Sequence, residues 1–311
     1  MHLRLSVLAL AFAAACDVGQ FTVNTTAKVL VRAQPGIQME SDYDMARIAI
    51  PGALKTVEGF WVVNPHNEGL IKILTEGYCQ YGTAFVEDDW EVAKFAKDLN
   101  EIEHQNERAT HIFTRCMNYA LMQLGDDFSK HIFGTPDEVA KVLKDVGPGR
   151  RTALMWAALA LGSIVNHNLN RVEMLGYLNT VQQMLDRVVA IDKEHPPHDP
   201  QLAALPHLAA GMVFSATSKQ LGGNPERAKA EFETALALTA TKDAPNGRLL
   251  LARTLLGYRV GLQNNDEKFF HEQLKQVLET SPSIWPEQRL ANEVAHRRAR
   301  RYLSHEKDLF Q

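Results

Sequence analysis

Apolar side chains recur three and four positions apart along most of this chain, and alternating apolar–polar runs are scarce. That spacing puts the apolar groups on one stripe of a helix, so the stable arrangements open to the chain are those that pack helix on helix. Proline, glycine and capping residues cut the pattern into segments. Ser41 and Asp42 open a helical stretch through Ile50, and Pro51 begins another through Val63. Helices then come in pairs, at about 67–90 with 102–124, 151–166 with 170–192, 200–220 with 225–239, and 247–262 with 266–280, before a last helix at 286–306. In the longer connection after the first pair, Thr135, Pro136 and Glu138 have the spacing of a capping box with proline in the first turn. Asp199 and Pro200 restart a helix after the rigid loop His195–Pro196–Pro197–His198. Residues 21–31 carry some strand character within what reads as a linker.

The second members of three pairs share a spacing of four then three: Ala109, Phe113, Cys116; Ala228, Phe232, Ala235; and Phe270, Leu274, Val277, with Pro282 five further on. Small, aromatic, small resembles the second helix of a tetratricopeptide repeat, where the small residue admits a neighbouring helix and the aromatic fills the gap. The register is imperfect, since Phe270 stands 42 positions after Ala228 and the standard repeat is roughly 34. The expected fold is therefore all-α, an α-α superhelix of degenerate tetratricopeptide-like helix pairs over 40–306.

Ahead of that domain, Met1-His2-Leu3-Arg4 leads into an uncharged run from Leu5 to Ala15 and then Cys16. A basic start, a short apolar core and small residues describe a secretory signal, and the run falls short of the roughly 20 residues that span a bilayer. Ala13-Ala14-Ala15-Cys16 resembles a bacterial lipoprotein signal, which implies cleavage before Cys16 and lipidation of its sulfur. An ordinary signal with a coincidental cysteine, or a buried N-terminal strand, are the alternatives. The resulting division is a signal peptide at 1–15, a tether at 16–39 and the helical domain. The expected location is the periplasm, lipid-anchored to a membrane, with inner and outer membrane not distinguished. The whole chain carries 33 Lys and Arg against 37 Asp and Glu, and an acidic balance argues against nucleic acid as the main partner. The longest later apolar run, 153–165, suits a buried helix rather than a span. Of the other two cysteines, an exported compartment permits a Cys79–Cys116 bridge, while two small buried thiols on packed helices is the favoured reading.

Candidate chemistry is sparse. His104, Glu107 and His111 share one helix face and could supply part of a metal site, or simply belong to a solvated, highly charged surface. Tyr78, Tyr81 and Phe85 along one helix, and Trp156 in the apolar helix, suit either a core or the wall of a ligand pocket. His296, Arg297, Arg298, Arg300 and Arg301 form a basic cluster that could meet lipid headgroups or an acidic partner, or be held within the helix by a Glu293–Arg297 pair. Asn292 reads as a hydrogen-bonder in packing. No catalytic or cofactor fingerprint occurs, and no cofactor is expected.

Several pieces in order resemble the T-component family of tripartite (TRAP-type) transporters: Asn64-Pro65-His66-Asn67 leading to Tyr81-Gly82-Thr83-Ala84-Phe85-Val86-Glu87; Arg108-Ala109 and Tyr119-Ala120-Leu121; Met155-Trp156-Ala157-Ala158; Gly222-Gly223-Asn224-Pro225-Glu226-Arg227-Ala228; Leu251-Ala252-Arg253; and Leu290-Ala291-Asn292-Glu293-Val294-Ala295-His296-Arg297-Arg298-Ala299. The resemblance covers roughly 40–305. It implies a non-enzymatic periplasmic lipoprotein that associates with a solute-binding protein, forms oligomers such as trimers, and has a pore lined by apolar side chains, suited to an apolar ligand. A general tetratricopeptide-like envelope scaffold is the alternative, and a helical metalloenzyme built on His104, Glu107 and His111 a more remote one.

Overall fold

The computed structural model describes residues 18–216 and 223–310. The principal helices are α1 (Val18–Gln38), α2 (Tyr43–Val63), α3 (Glu68–Tyr81), α4 (Glu87–Ala96), α5 (Leu99–Leu124), α6 (Asp126–His131), α7 (Pro136–Lys144), α8 (Arg151–Asn166), α9 (Tyr177–Glu194), α10 (Pro200–Phe214), α11 (Pro225–Leu238), α12 (Leu250–Leu255), α13 (Glu267–Glu279) and α14 (Arg289–Ser304). Among the described residues the β structure amounts to one isolated bridge, Thr241 to Ala244, so the molecule is all-α. Short polar side chains close the helix starts, as the orphan N–H groups there require. Asp42, Asn67, Asp98, Asp199, Asn224 and Asp266 each accept a first-turn N–H, and Thr135 with Glu138 forms the expected capping box on α7. Neighbours in sequence are neighbours in space: α2 packs on α3, α3 on α5, α5 on α8, α8 on α9, and α10 on α11.

Five stretches depart from the sequence expectations. Residues 21–31 are helical rather than strand-like, and the presumed tether is α1 from Val18 onward. Val23, Ala27, Leu30 and Val31 turn inward at helical spacing, so burial overrides the β-branched composition. Pro51 does not divide two helices; it lies inside α2, where buried Ile50, Leu54 and Val57 hold the element together despite the lost backbone bond. The expected helices 67–90 and 247–262 are each interrupted by a π-helical turn, Gly82–Val86 and Leu256–Val260. Helix 170–192 becomes a single turn, Val172–Leu175, followed by α9.

All nine triplet residues, from Ala109 to Val277, are fully buried. Their aromatics press on helical glycines. A Cβ on Gly82 would lie 2.7 Å from the Phe113 ring, on Gly211 2.6 Å from Phe232, and on Gly261 2.8 Å from Phe270. At Gly82 and Gly211 a ring occupies the space that a side chain would take, and at Gly261 the Cβ and backbone of Phe270 do, which is how close helix packing is reached here. Cys79 and Cys116 are joined in a disulfide that ties α3 to α5, with 5.3 Å between their Cα atoms. The expectation of two separate thiols is thereby corrected; the helix faces that bury both sulfurs also bring them together.

The C-terminal helix returns to the start of the fold. Packed on α12 and α13, α14 also touches α1 and α2. The basic cluster expected to meet an outside partner is largely occupied within the molecule. Arg297 pairs with Asp88 at 2.8 Å, and Arg301 reaches Asp88 at 2.6 Å and Glu91 at 2.5 Å. Arg298, fully buried, donates to the Thr83 carbonyl at 2.6 Å. The Tyr302 hydroxyl donates to Glu91 at 2.7 Å. Glu293 pairs with Arg289 rather than with Arg297. Asn292 performs the packing role expected of it: its carbonyl oxygen accepts from the Leu250 N–H and its amide donates to the Arg248 and Pro282 carbonyls.

Candidate functional site

Two concave features stand out, and they differ in character. The first is a narrow crevice with free room of about 30 Å³, walled by α8 and α10. Leu159, Gly162, Leu169, Leu178, Met212 and Val213 make it apolar. The apolar helix 153–165 thus supplies a wall, because α8 turns Leu159 and Gly162 to the crevice while Met155, Trp156 and Ala157 go to the core.

Charge enters the crevice at Glu87 and Arg259. Both are delivered by the π-helical turns: Glu87 follows Gly82–Val86 directly, and Arg259 lies within Leu256–Val260. A π turn fits an extra residue into the helix and re-aims the side chains around it, a device frequent at functional sites. The Glu87 carboxylate is buried and partnered, accepting from Ser163 Oγ at 3.2 Å with His167 Nε2 at 3.6 Å. Burial, the largest influence, raises its pKa, but His167, Arg298 and Arg259 outweigh that and hold the group below the ordinary glutamate value. His167 is fixed in turn by Nδ1 against Asn106 Oδ1 at 3.0 Å and by edge contact with Trp90. Arg259 has no ion pair among the described residues, and its Nε is buried without an acceptor. Lys94 is pushed below the usual lysine value, first by burial and then by the charge of Arg259.

The second feature is a wide, open basin of about 460 Å³ between α2, α3 and α5. It gathers most of the residues singled out from sequence: Tyr78, Tyr81, His104, Glu107 and His111, with Arg108, Arg115 and Lys55. Its cations are already engaged. Arg108 pairs with Asp89 at 3.1 Å and donates to the Tyr81 hydroxyl at 2.8 Å. Arg115 pairs with Glu58 at 3.1 Å and donates to the Tyr78 hydroxyl at 3.3 Å, while Lys55 also pairs with Glu58. Burial and the neighbouring Glu58 push the Tyr78 phenol up to about 12. His104 and His111 are exposed and stand seven residues apart on α5, a rise of about 10.5 Å, too far to meet on one ion. Among the described residues no group of three or more His, Cys, Asp or Glu is placed to hold a metal ion. Phe85 and Trp156 line neither feature; Phe85 packs against Tyr43 and Tyr81 in the core, and Trp156 is buried beside the disulfide. Cys16 lies outside the described residues.

Sequence reasoning missed Glu87, Ser163, His167 and Arg259. A π turn has no residue pattern of its own, so the register that brings the first and last of these together is invisible in one dimension. The one available signal was a second charged residue, Arg259, after Arg253 in the largely apolar stretch Leu249 to Val260.

No helix among the described residues is long and apolar enough to cross a membrane. The chain is 26% identical over 287 residues to an uncharacterised protein of Treponema pallidum (strain Nichols), covering 87% of this chain and 81% of that protein. Residues 39–310 match the family described as TRAP transporter T-component. That match takes in every helix from α2 to the C-terminal turn, including both walls of the crevice and both π turns, and the chain belongs to the TRAP transporter T-component family.

Proposed function

We propose that this protein is a lipid-anchored periplasmic scaffold of a TRAP-type uptake system, which docks the solute-binding protein and holds or passes a slim apolar ligand through its crevice. The crevice is the observation that carries this reading: an apolar wall with its polar groups gathered at one place suits holding a molecule. Membership of the transporter family supplies the system. The glycine-seated aromatics support a degenerate tetratricopeptide-like stacking of helix pairs, an architecture that offers broad surfaces for docking. Cleavage before Cys16 and lipidation of its sulfur would place the domain at a membrane surface, and the Cys79–Cys116 bridge accords with an oxidising compartment. Oligomers such as trimers remain part of the proposal through the family resemblance.

Titration of the purified chain with the solute-binding protein encoded in the same system tests the docking. A saturable complex is expected. Failure to bind from low to high salt would overturn the transport reading in favour of a general envelope scaffold.

A further inference from the structure

α1 runs parallel to α3, and it starts where α2 ends. Asn24 Oδ1 accepts from the side-chain amides of Asn64 at 2.9 Å and Asn67 at 2.6 Å, and further along Gln34 donates to Glu76 at 3.5 Å. One end of the molecule is therefore built from the first turns of α1, the last turn of α2 and the short connection to α3. It is apolar and open. Phe21 is 71% exposed, Val62 68% and Val63 54%, and half-buried Trp61 beside them donates from Nε1 to the Pro65 carbonyl at 3.1 Å. From Gly59 to Pro65 the sequence has no charged residue, whereas the outer face of a surface helix is ordinarily charged or polar. Single exposed apolar side chains need no explanation, but several together do. Cys16, the proposed site of lipid, stands five positions before Phe21, at most about 18 Å of extended chain. The far end of α2, twenty residues or about 30 Å away, is beyond that reach. Charge points the same way. α1 carries Lys28 and Arg32 on its exposed side and no acidic residue, and the start of α3 adds exposed Lys72 against Glu68. Apolar groups at the tip with net positive charge above them suit an anionic phospholipid surface.

We propose that this end is a face that rests on the bilayer, with Phe21, Val62 and Val63 entering the interfacial layer and Lys28 and Arg32 meeting phospholipid phosphates above it. The proposal rests on the lipid-anchor reading and deepens it: the acyl chains supply the attachment, and the face sets how the domain stands. α1, α2 and α3 are then upright on the membrane. The basin begins at Lys55, eight residues or about 12 Å up α2 from Val63, so it opens just outside a headgroup layer about 5–8 Å deep.

Two labelled variants of the full chain, purified from its membrane, test this on vesicles of phosphatidylethanolamine and phosphatidylglycerol that carry a doxyl-labelled lipid as quencher. Val63→Cys places a fluorophore on the proposed face. Ile48→Cys places the same fluorophore on the same helix at a residue 79% exposed, fifteen residues or about 22 Å higher. Cys79 and Cys116 are held in their disulfide, so they do not compete for the label. Flotation with the vesicles reports the anchor, and quenching reports the face. Both variants should float, with the label at 63 quenched about threefold or more beyond the label at 48. Adding Phe21→Ser and Val62→Ser should shrink that difference while flotation and melting temperature hold. Flotation with equal quenching at the two positions overturns the face and leaves the anchor standing. Absence of flotation overturns both. A label at 63 that is shielded by self-association of the chain without lipid, and not quenched in vesicles, assigns the patch to a second copy and overturns the proposal.

Discussion

Asp88 shows how much a single side chain can carry in this fold. Its side chain is wholly buried, accepts from Arg297, Arg301 and the Tyr43 hydroxyl, and joins residues more than two hundred positions apart. Burial is the largest influence on its pKa and raises it, but Arg301, Arg298 and Arg297 together bring the group below the ordinary aspartate value. A carboxylate depressed by folding contributes stability that is complete above its unfolded pKa, about pH 4, and is lost as pH falls below that value towards the folded pKa. The melting temperature should therefore drop between about pH 5 and about pH 3, and Asp88→Asn should flatten that drop, as thermal scans across this range would show. At neutral pH the same substitution leaves buried Arg298 and Arg301 short of a counter-charge, and breaking a buried pair costs about 3–5 kcal/mol. Chemical denaturation that finds the variant within about 0.5 kcal/mol of the parent would refute the structural importance of this cluster.

The helices owe their contact distances to specific small residues. Gly211 lies under the Phe232 ring so closely that an added Cβ would sit 2.6 Å from it. Gly211→Ala should therefore destabilise by about 1–3 kcal/mol, even though alanine is the better helix former, and equilibrium unfolding decides between the two effects. The Cys79–Cys116 bridge closes a sequence separation of 37, for which chain entropy gives about 4 kcal/mol. The paired Cys79→Ala, Cys116→Ala variant should unfold at correspondingly lower denaturant concentration, and an unchanged midpoint would contradict that contribution. The same elements show what the sequence could and could not reveal. The triplets were legible because small and aromatic residues at four and three positions apart have one obvious use, and the caps at Thr135 and Asp199 were legible because capping is local. α1 was misread because its β-branched residues suggested a strand, whereas Val23, Ala27, Leu30 and Val31 already had helical spacing. Pro51 looked like a boundary because propensity was weighed without the burial around it. The crevice could not be read at all, because Glu87 and Arg259 meet through two changes of helical register and a return of the chain upon itself.

Taken whole, the molecule is a succession of neighbouring helices whose end is fastened to its beginning. The basic face of α14 resembles a docking patch in sequence, but in the folded chain Arg297, Arg298 and Arg301 are committed to the acidic start of α4 and the turn before it. The basin between α2, α3 and α5 and the crevice between α8 and α10 stay open among the described residues. The basin holds His104, Glu107 and His111 on an exposed face with engaged arginines around it, and the crevice is lined largely by apolar side chains. Cells lacking this gene test that account most directly. Uptake by the TRAP-type system it serves should fall towards background, return with the unaltered gene, and stay low with Gly162→Leu at equal protein levels. Uptake that is unchanged without the gene, or fully restored by the filled crevice, would contradict it.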